Sequence, residues 1–92
     1  MNIHIVCVGK CREQFWKEAV SEYSKRLSRF CKLTVTELAD EKIPDNAGSA
    51  AEAAVLEKEG ERILSALRPN EFVVTLCVEG RQKDSVQFAE FI

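Results

Sequence analysis

Ninety-two residues and 10.4 kDa fit a single domain, and a composition of 46% hydrophobic and 30% charged residues is globular, excluding disordered, collagen-like and coiled-coil chains. No apolar run approaches the ~20 residues that cross a bilayer, and the apolar start MNIHIVCVGK has neither a basic region before it nor a small-residue cleavage site after it, so neither a transmembrane helix nor secretion is expected. The net charge of −2 excludes a uniformly basic nucleic-acid coat, yet it is unevenly spread: residues 1–33 hold seven basic and three acidic side chains (+4), residues 34–92 six basic and twelve acidic (−6).

Residues 3–8 are apolar apart from His4, rich in β-branched side chains and closed by Gly9, which predicts a strand covered on both faces. Residues 12–30 follow helical spacing: Trp16, Val20, Tyr23, Leu27 and Phe30 fall three or four apart on one stripe, with Glu13–Lys17 and Glu22–Arg26 as favourably oriented i,i+4 pairs. Residues 33–38 (LTVTEL) alternate and are β-branched, a second strand. Residues 39–48, with Asp40, Pro44, Asp45, Asn46 and Gly48, read as a long loop. Ser49-Ala50-Ala51-Glu52 has the pattern of a capping box and starts a helix that Pro69 stops. Its expected buried stripe is Ala53, Leu56, Gly60, Ile63, Leu64 and Leu67, with Gly60 giving close backbone packing against the sheet. Residues 71–78 (EFVVTLCV) predict a third strand, residues 79–82 a turn, and Asp84 the cap of a last helix beginning near Ser85. Strand and helix alternate throughout, so the expected fold class is α/β: a parallel-sheet, Rossmann-like βαβαβα unit with right-handed crossovers.

Cys7 and Cys77 sit in strand-like runs, Cys11 in the loop after the first strand and Cys31 just past the first helix. No CxxC pair exists and His4 is the only histidine, so no metal site is expected and the cysteines read as buried free thiols of a reducing compartment. Val8-Gly9-Lys10 is not a phosphate loop, because His4 stands where that loop needs its first glycine and Cys11 where it needs Ser or Thr. With no histidine besides His4 to activate a thiol, nucleophilic cysteine chemistry also lacks a base.

The landmarks Ile3-His4-Ile5-Val6-Cys7-Val8-Gly9-Lys10, Trp16-Lys17, Glu22-Tyr23-Ser24-Lys25-Arg26-Leu27, Asp40-Glu41-Lys42, Lys58-Glu59-Gly60-Glu61-Arg62-Ile63-Leu64 and Val74-Thr75-Leu76-Cys77-Val78-Glu79-Gly80-Arg81-Gln82 occur in one order. Together they resemble the N-terminal part of the ribosomal RNA large subunit methyltransferase H family, in the SPOUT class of α/β-knot enzymes. The resemblance implies a cytoplasmic, homodimeric enzyme that uses S-adenosylmethionine, without a metal, to methylate N3 of a pseudouridine in large-subunit (23S) ribosomal RNA. It also implies that residues 1–92 are one truncated SPOUT-type domain, lacking the glycine-rich cofactor loop, the knotted crossover and the C-terminal tail, and therefore inactive alone.

The resemblance carries Leu76, with Thr75 beside it, onto a position lining the adenosine pocket. By its residue type alone Leu76 reads as core. Where family members often have aspartate next, this chain has Cys77. Lys10 and Arg12, after the first strand and at the same sheet edge, are the candidates to meet RNA phosphates, with Lys25, Arg29 and Lys32 as weaker ones. No residue stands out as the catalytic base; Glu79 reads as a solvated turn carboxylate. The competing expectation is a noncatalytic α/β module that binds RNA or a partner protein through its basic N-terminal helix.

Overall fold

The computed structural model describes residues 1–43, 45–46 and 48–92, so Pro44 of the expected loop lies outside the described residues. Two strands, β1 (Asn2–Val8) and β2 (Lys32–Leu38), pair in parallel from Asn2↔Lys32 to Val8↔Leu38. Bonds at both ends extend the pairing: the Lys32 amide donates to the Met1 carbonyl at 3.0 Å, and the Gly9 amide to the Leu38 carbonyl at 2.7 Å. Across the pair, His4 Nε2 and Thr36 Oγ1 lie 2.7 Å apart, which gives the polar interruption in an otherwise apolar strand a partner.

Between the strands runs α1 (Gln14–Leu27), which packs on β2. The Glu22–Arg26 pair forms at 3.1 Å, whereas Glu13 caps the helix through its carbonyl, which accepts from the Trp16 and Lys17 amides. The apolar stripe of α1 is not covered; Trp16 is 57% exposed.

After β2 comes α2 (Ser49–Ala66), which packs on β1, and three sequence expectations need correction there. The capping box does not form: Gly48 is the N-cap, Ser49 is already helical and no side chain caps the helix, although Glu52 still sits in the first turn where the helix dipole favours an anion. The half-buried face runs through Ala51, Val55, Glu59, Gly60, Arg62, Ile63, Ala66 and Leu67, so Gly60, Ile63 and Leu67 of the expected stripe are partly covered while Ala53 is exposed and Leu56 and Leu64 are each 69% exposed. Glu59 and Arg62 join that face because they bond to the turn after β2. Gly60 has no close packing, since a Cβ built there meets nothing within 4 Å.

The expected third strand is also corrected. Residues 71–78 join no ladder, and the sheet has two strands among the described residues. The chain turns after α2 through Asn70 at φ 69°, with the Arg68 amide donating to the Glu71 carboxylate. Of the segment's apolar side chains, Phe72 lies against the last helix, its ring 6.2 Å from that of Phe91, while Leu76 and Val78 stand in solvent. That helix, α3 (Ser85–Phe91), starts as expected at Asp84, whose carboxylate accepts from the Gln87 amide at 2.8 Å while the Asp84 amide donates to Gln87 Oε1 at 3.0 Å.

The fold class is nonetheless α/β with a parallel sheet, as the alternation predicts. What the body lacks is closure. It exposes 8434 Å², against about 5,400 Å² for a compact monomer of this mass, and its radius of gyration is 15.7 Å against about 12 Å. Among the described residues no side chain is buried. The cysteines, expected to be buried, are free, with Cys7, Cys11 and Cys31 half-buried and Cys77 exposed.

Candidate functional site at the carboxyl rim of the sheet

Both strands end at the same rim, because they are parallel and in register at Val8 and Leu38. Ligands of open α/β sheets meet the chain at this rim, where loops leave the carboxyl ends of strands. Gly9, at φ +92°, takes a backbone conformation that side chains resist, and this lets the chain turn sharply out of β1.

Lys10 and Arg12 follow on the turn, both exposed. Between them the Cys11 amide donates to Glu37 Oε2 at 2.6 Å, so the loop is fixed to the end of β2 at a second point beyond the Gly9–Leu38 bond. The two cations thus project from a pinned loop, which lowers the entropic cost of holding a phosphate.

The turn leaving β2 is pinned as well. Arg62 of α2 donates through Nη1 to the Ala39 carbonyl at 2.9 Å and through Nη2 to the Glu41 carboxylate, and Glu59 Oε2 accepts from the Glu41 amide at 3.1 Å. Glu59 and Arg62 lie three positions apart on one side of the helix, which brings both to the same turn. Beside this clamp an open hollow of about 490 Å³ is lined by Leu38, Lys58, Glu61, Arg62, Ser65 and Ala66. Glu37, Glu59 and Arg62 are not among the site residues expected from the sequence. The signal was present in the Glu59-Gly60-Glu61-Arg62 run, where acidic and basic side chains three apart flank a helical glycine.

The structure does not bring the cofactor-side candidates onto this rim through a ladder. Leu76 is 90% exposed and Thr75 is exposed beside it, on a segment that pairs with no strand. After them the chain reverses in a tight turn, the Gly80 amide donating to the Cys77 carbonyl at 3.1 Å; a Cβ at Gly80 would lie 3.1 Å from that same carbonyl, which favours glycine there. Glu79 stands exposed within this turn, as its sequence context implies. The rim therefore holds Lys10 and Arg12 on built loops, while Leu76 and Thr75 offer an apolar surface and a hydroxyl on open chain.

Comparison with known proteins gives this arrangement its context. A family model described as "Predicted SPOUT methyltransferase" matches residues 1–92. The chain is 55% identical over 89 residues to "Ribosomal RNA large subunit methyltransferase H" of Bifidobacterium animalis subsp. lactis (strain AD011), covering 97% of this chain and 56% of that protein. It is 49% and 50% identical over 92 residues to the proteins of the same name from Clostridium novyi (strain NT) and Clostridium tetani (strain Massachusetts / E88), covering all of this chain and 58% of each relative. The chain thus spans less than three fifths of the length of these curated relatives. A match running from the first residue to the last, with about half of all positions identical, places the chain in the SPOUT methyltransferase family.

Proposed function

We propose that this chain is the N-terminal portion of an enzyme that methylates large-subunit ribosomal RNA, at N3 of a pseudouridine, with S-adenosylmethionine as methyl donor. The observation that carries the proposal is the identity of 49 to 55% along the chain to relatives bearing that enzyme's name. The rim geometry supports it, because two loops leaving parallel strands are fixed at one edge and one of them presents two cations.

S-adenosylmethionine, when bound, would supply an electrophilic methyl to a ring nitrogen. The part of the described residues is orientation of the two reactants. Leu76 suits the nonpolar face of an adenosine, Thr75 adds a hydroxyl next to it, and the backbone groups of 72–76, free of any ladder, remain available to the polar edge of adenine. Lys10 and Arg12 suit RNA phosphates, which fix the register of the substrate and leave the choice of base to the pocket. The described residues form only one side of such a site, and their surplus of exposed surface fits a domain completed by the rest of the relatives' length, in a cytoplasmic homodimer.

The test is methyl transfer from labelled S-adenosylmethionine to 23S ribosomal RNA. It compares the 92-residue chain with a chimera that joins Ile92 to the remaining segment of the Clostridium novyi relative. The chimera is expected to transfer methyl to one pseudouridine, mapped by mass spectrometry, and the chain alone to transfer none. A folded chimera that modifies another base, or nothing, refutes the proposal.

A further inference from the structure

α1 leaves the carboxyl rim after β1 and delivers the chain to the opposite rim, where β2 begins. Its 14 residues span about 21 Å at 1.5 Å per residue. At that far end stand four cations within eight residues, Lys25, Arg26, Arg29 and Lys32, and no acidic side chain occurs between Glu22 and Glu37. Glu22 is already engaged by Arg26 at 3.1 Å. Lys25, Arg29 and Lys32 are exposed, and among the described residues none of them forms an ion pair.

The local backbone brings Lys25 and Arg29 together and fixes the position of Lys32 at the start of β2. Beyond α1 the chain continues to coil, with the Phe30 and Cys31 amides donating to the Leu27 carbonyl at 2.9 and 3.0 Å, so Arg29 follows Lys25 by about one turn. Side chains so spaced are neighbours, about 6 Å apart at Cβ. Lys32 is fixed as the first residue of β2 by its amide bond to the Met1 carbonyl. Phe30, between them in sequence, is 78% exposed.

We propose that Lys25, Arg29 and Lys32, with the Phe30 ring, form a second RNA-docking patch at the amino rim of the sheet, separate from the candidate site and specific for the phosphate backbone. The charge is the reason: one cation suffices to answer the carbonyl end of a helix, whereas three uncommitted ones in a chain of net charge −2 concentrate positive potential where a polyanion binds. Phe30, next to Arg29 in the chain and exposed, adds a stacking surface for a base, the combination that single-stranded RNA recognition uses. The patch deepens, and rests on, the ribosomal RNA reading above. It gives the protein a grip on RNA about 20 Å along α1 from the loop that carries Lys10 and Arg12.

The test is fluorescence anisotropy of a labelled 20-nucleotide uridine RNA with the 92-residue chain, titrated from 25 to 200 mM KCl. Each single-strand phosphate contact contributes about 0.7 to the slope of log K against log salt, so K25Q/R29Q/K32Q is expected to reduce the slope by about 2. K25R/K32R keeps the charges and is expected to keep the slope. Equal far-UV circular dichroism spectra show that the variants fold as the parent does. An unchanged slope in the triple variant, or no binding of this RNA by the parent chain, overturns the patch. Methyl transfer by the chimera separates the two readings: transfer with an unchanged slope retains the enzyme and removes the patch, and a lowered slope without transfer does the reverse.

Discussion

Replacing Gly60 by alanine sets the apolar-stripe expectation against the structure, because the two predict opposite signs. If Gly60 sat against a strand, a methyl group would collide with backbone and cost stability, as overpacking typically does by 1–3 kcal/mol. In the structure a Cβ at this position meets nothing within 4 Å, so the clash contribution is absent. What remains is the conformational cost of glycine in a helix interior, about 1 kcal/mol relative to alanine. Gly60 lies well inside α2 (Ser49–Ala66), away from fraying ends. The net expectation is a gain of about 0.5–1 kcal/mol. Urea unfolding followed by far-UV circular dichroism reads it directly. With a denaturant sensitivity of about 1 kcal/mol per molar for a small domain, the midpoint should rise by about 0.5–1 M. A lower midpoint would mean that something does pack on Gly60, and the reasoning from open space there would be wrong.

Gly9 should behave oppositely, since its φ of +92° strains any side chain; Gly9→Ala is expected to lower the same midpoint by about 1 kcal/mol equivalent. Asp84→Ala removes a formed capping box, so α3 should lose about 1 kcal/mol, seen as faster amide exchange at Gln87 and Phe88 with α1 and α2 unaffected. Cutting the clamp with Arg62→Met should cost less than about 1 kcal/mol, because the pair is partly solvated, yet it should speed exchange of the Glu41 amide; unchanged exchange there would show that Arg62 does not hold the turn. Leu76→Ala should leave the chain's stability within about 0.5 kcal/mol, against the 2–5 kcal/mol of a core leucine, and should weaken S-adenosylmethionine binding by the chimera in a calorimetric titration.

Local signals told much about this protein. The period-two and period-3.6 patterns of residues 3–38 marked β1, α1 and β2 to within a few residues, because each element there carries its own spacing, breaker and charge pairs. The Asp84 cap was equally legible, since its partner Gln87 is only three residues away. Lys10 and Arg12 could be placed at a strand's carboxyl end for the same reason: Gly9 announces the turn.

Contacts between distant positions were not legible. Whether residues 71–78 join the sheet depends on what covers both faces of a new strand, and their apolar composition is silent on that; in the structure Phe72 goes to Phe91 and Leu76 stays in solvent. On α2, Gly60, Ile63 and Leu67 of the predicted stripe are partly covered, but Glu59 and Arg62 bond to a turn some twenty residues earlier, an interaction that apolar spacing does not encode. The order and kind of the first elements, the uneven charge and the family were thus written in the residues themselves. Which loops are pinned at the carboxyl rim, and which polar side chains join the covered face of α2, emerged from the folded chain. Propensity and capping act over a few residues, whereas register between elements is chosen by burial and by the pairing of polar groups across the fold.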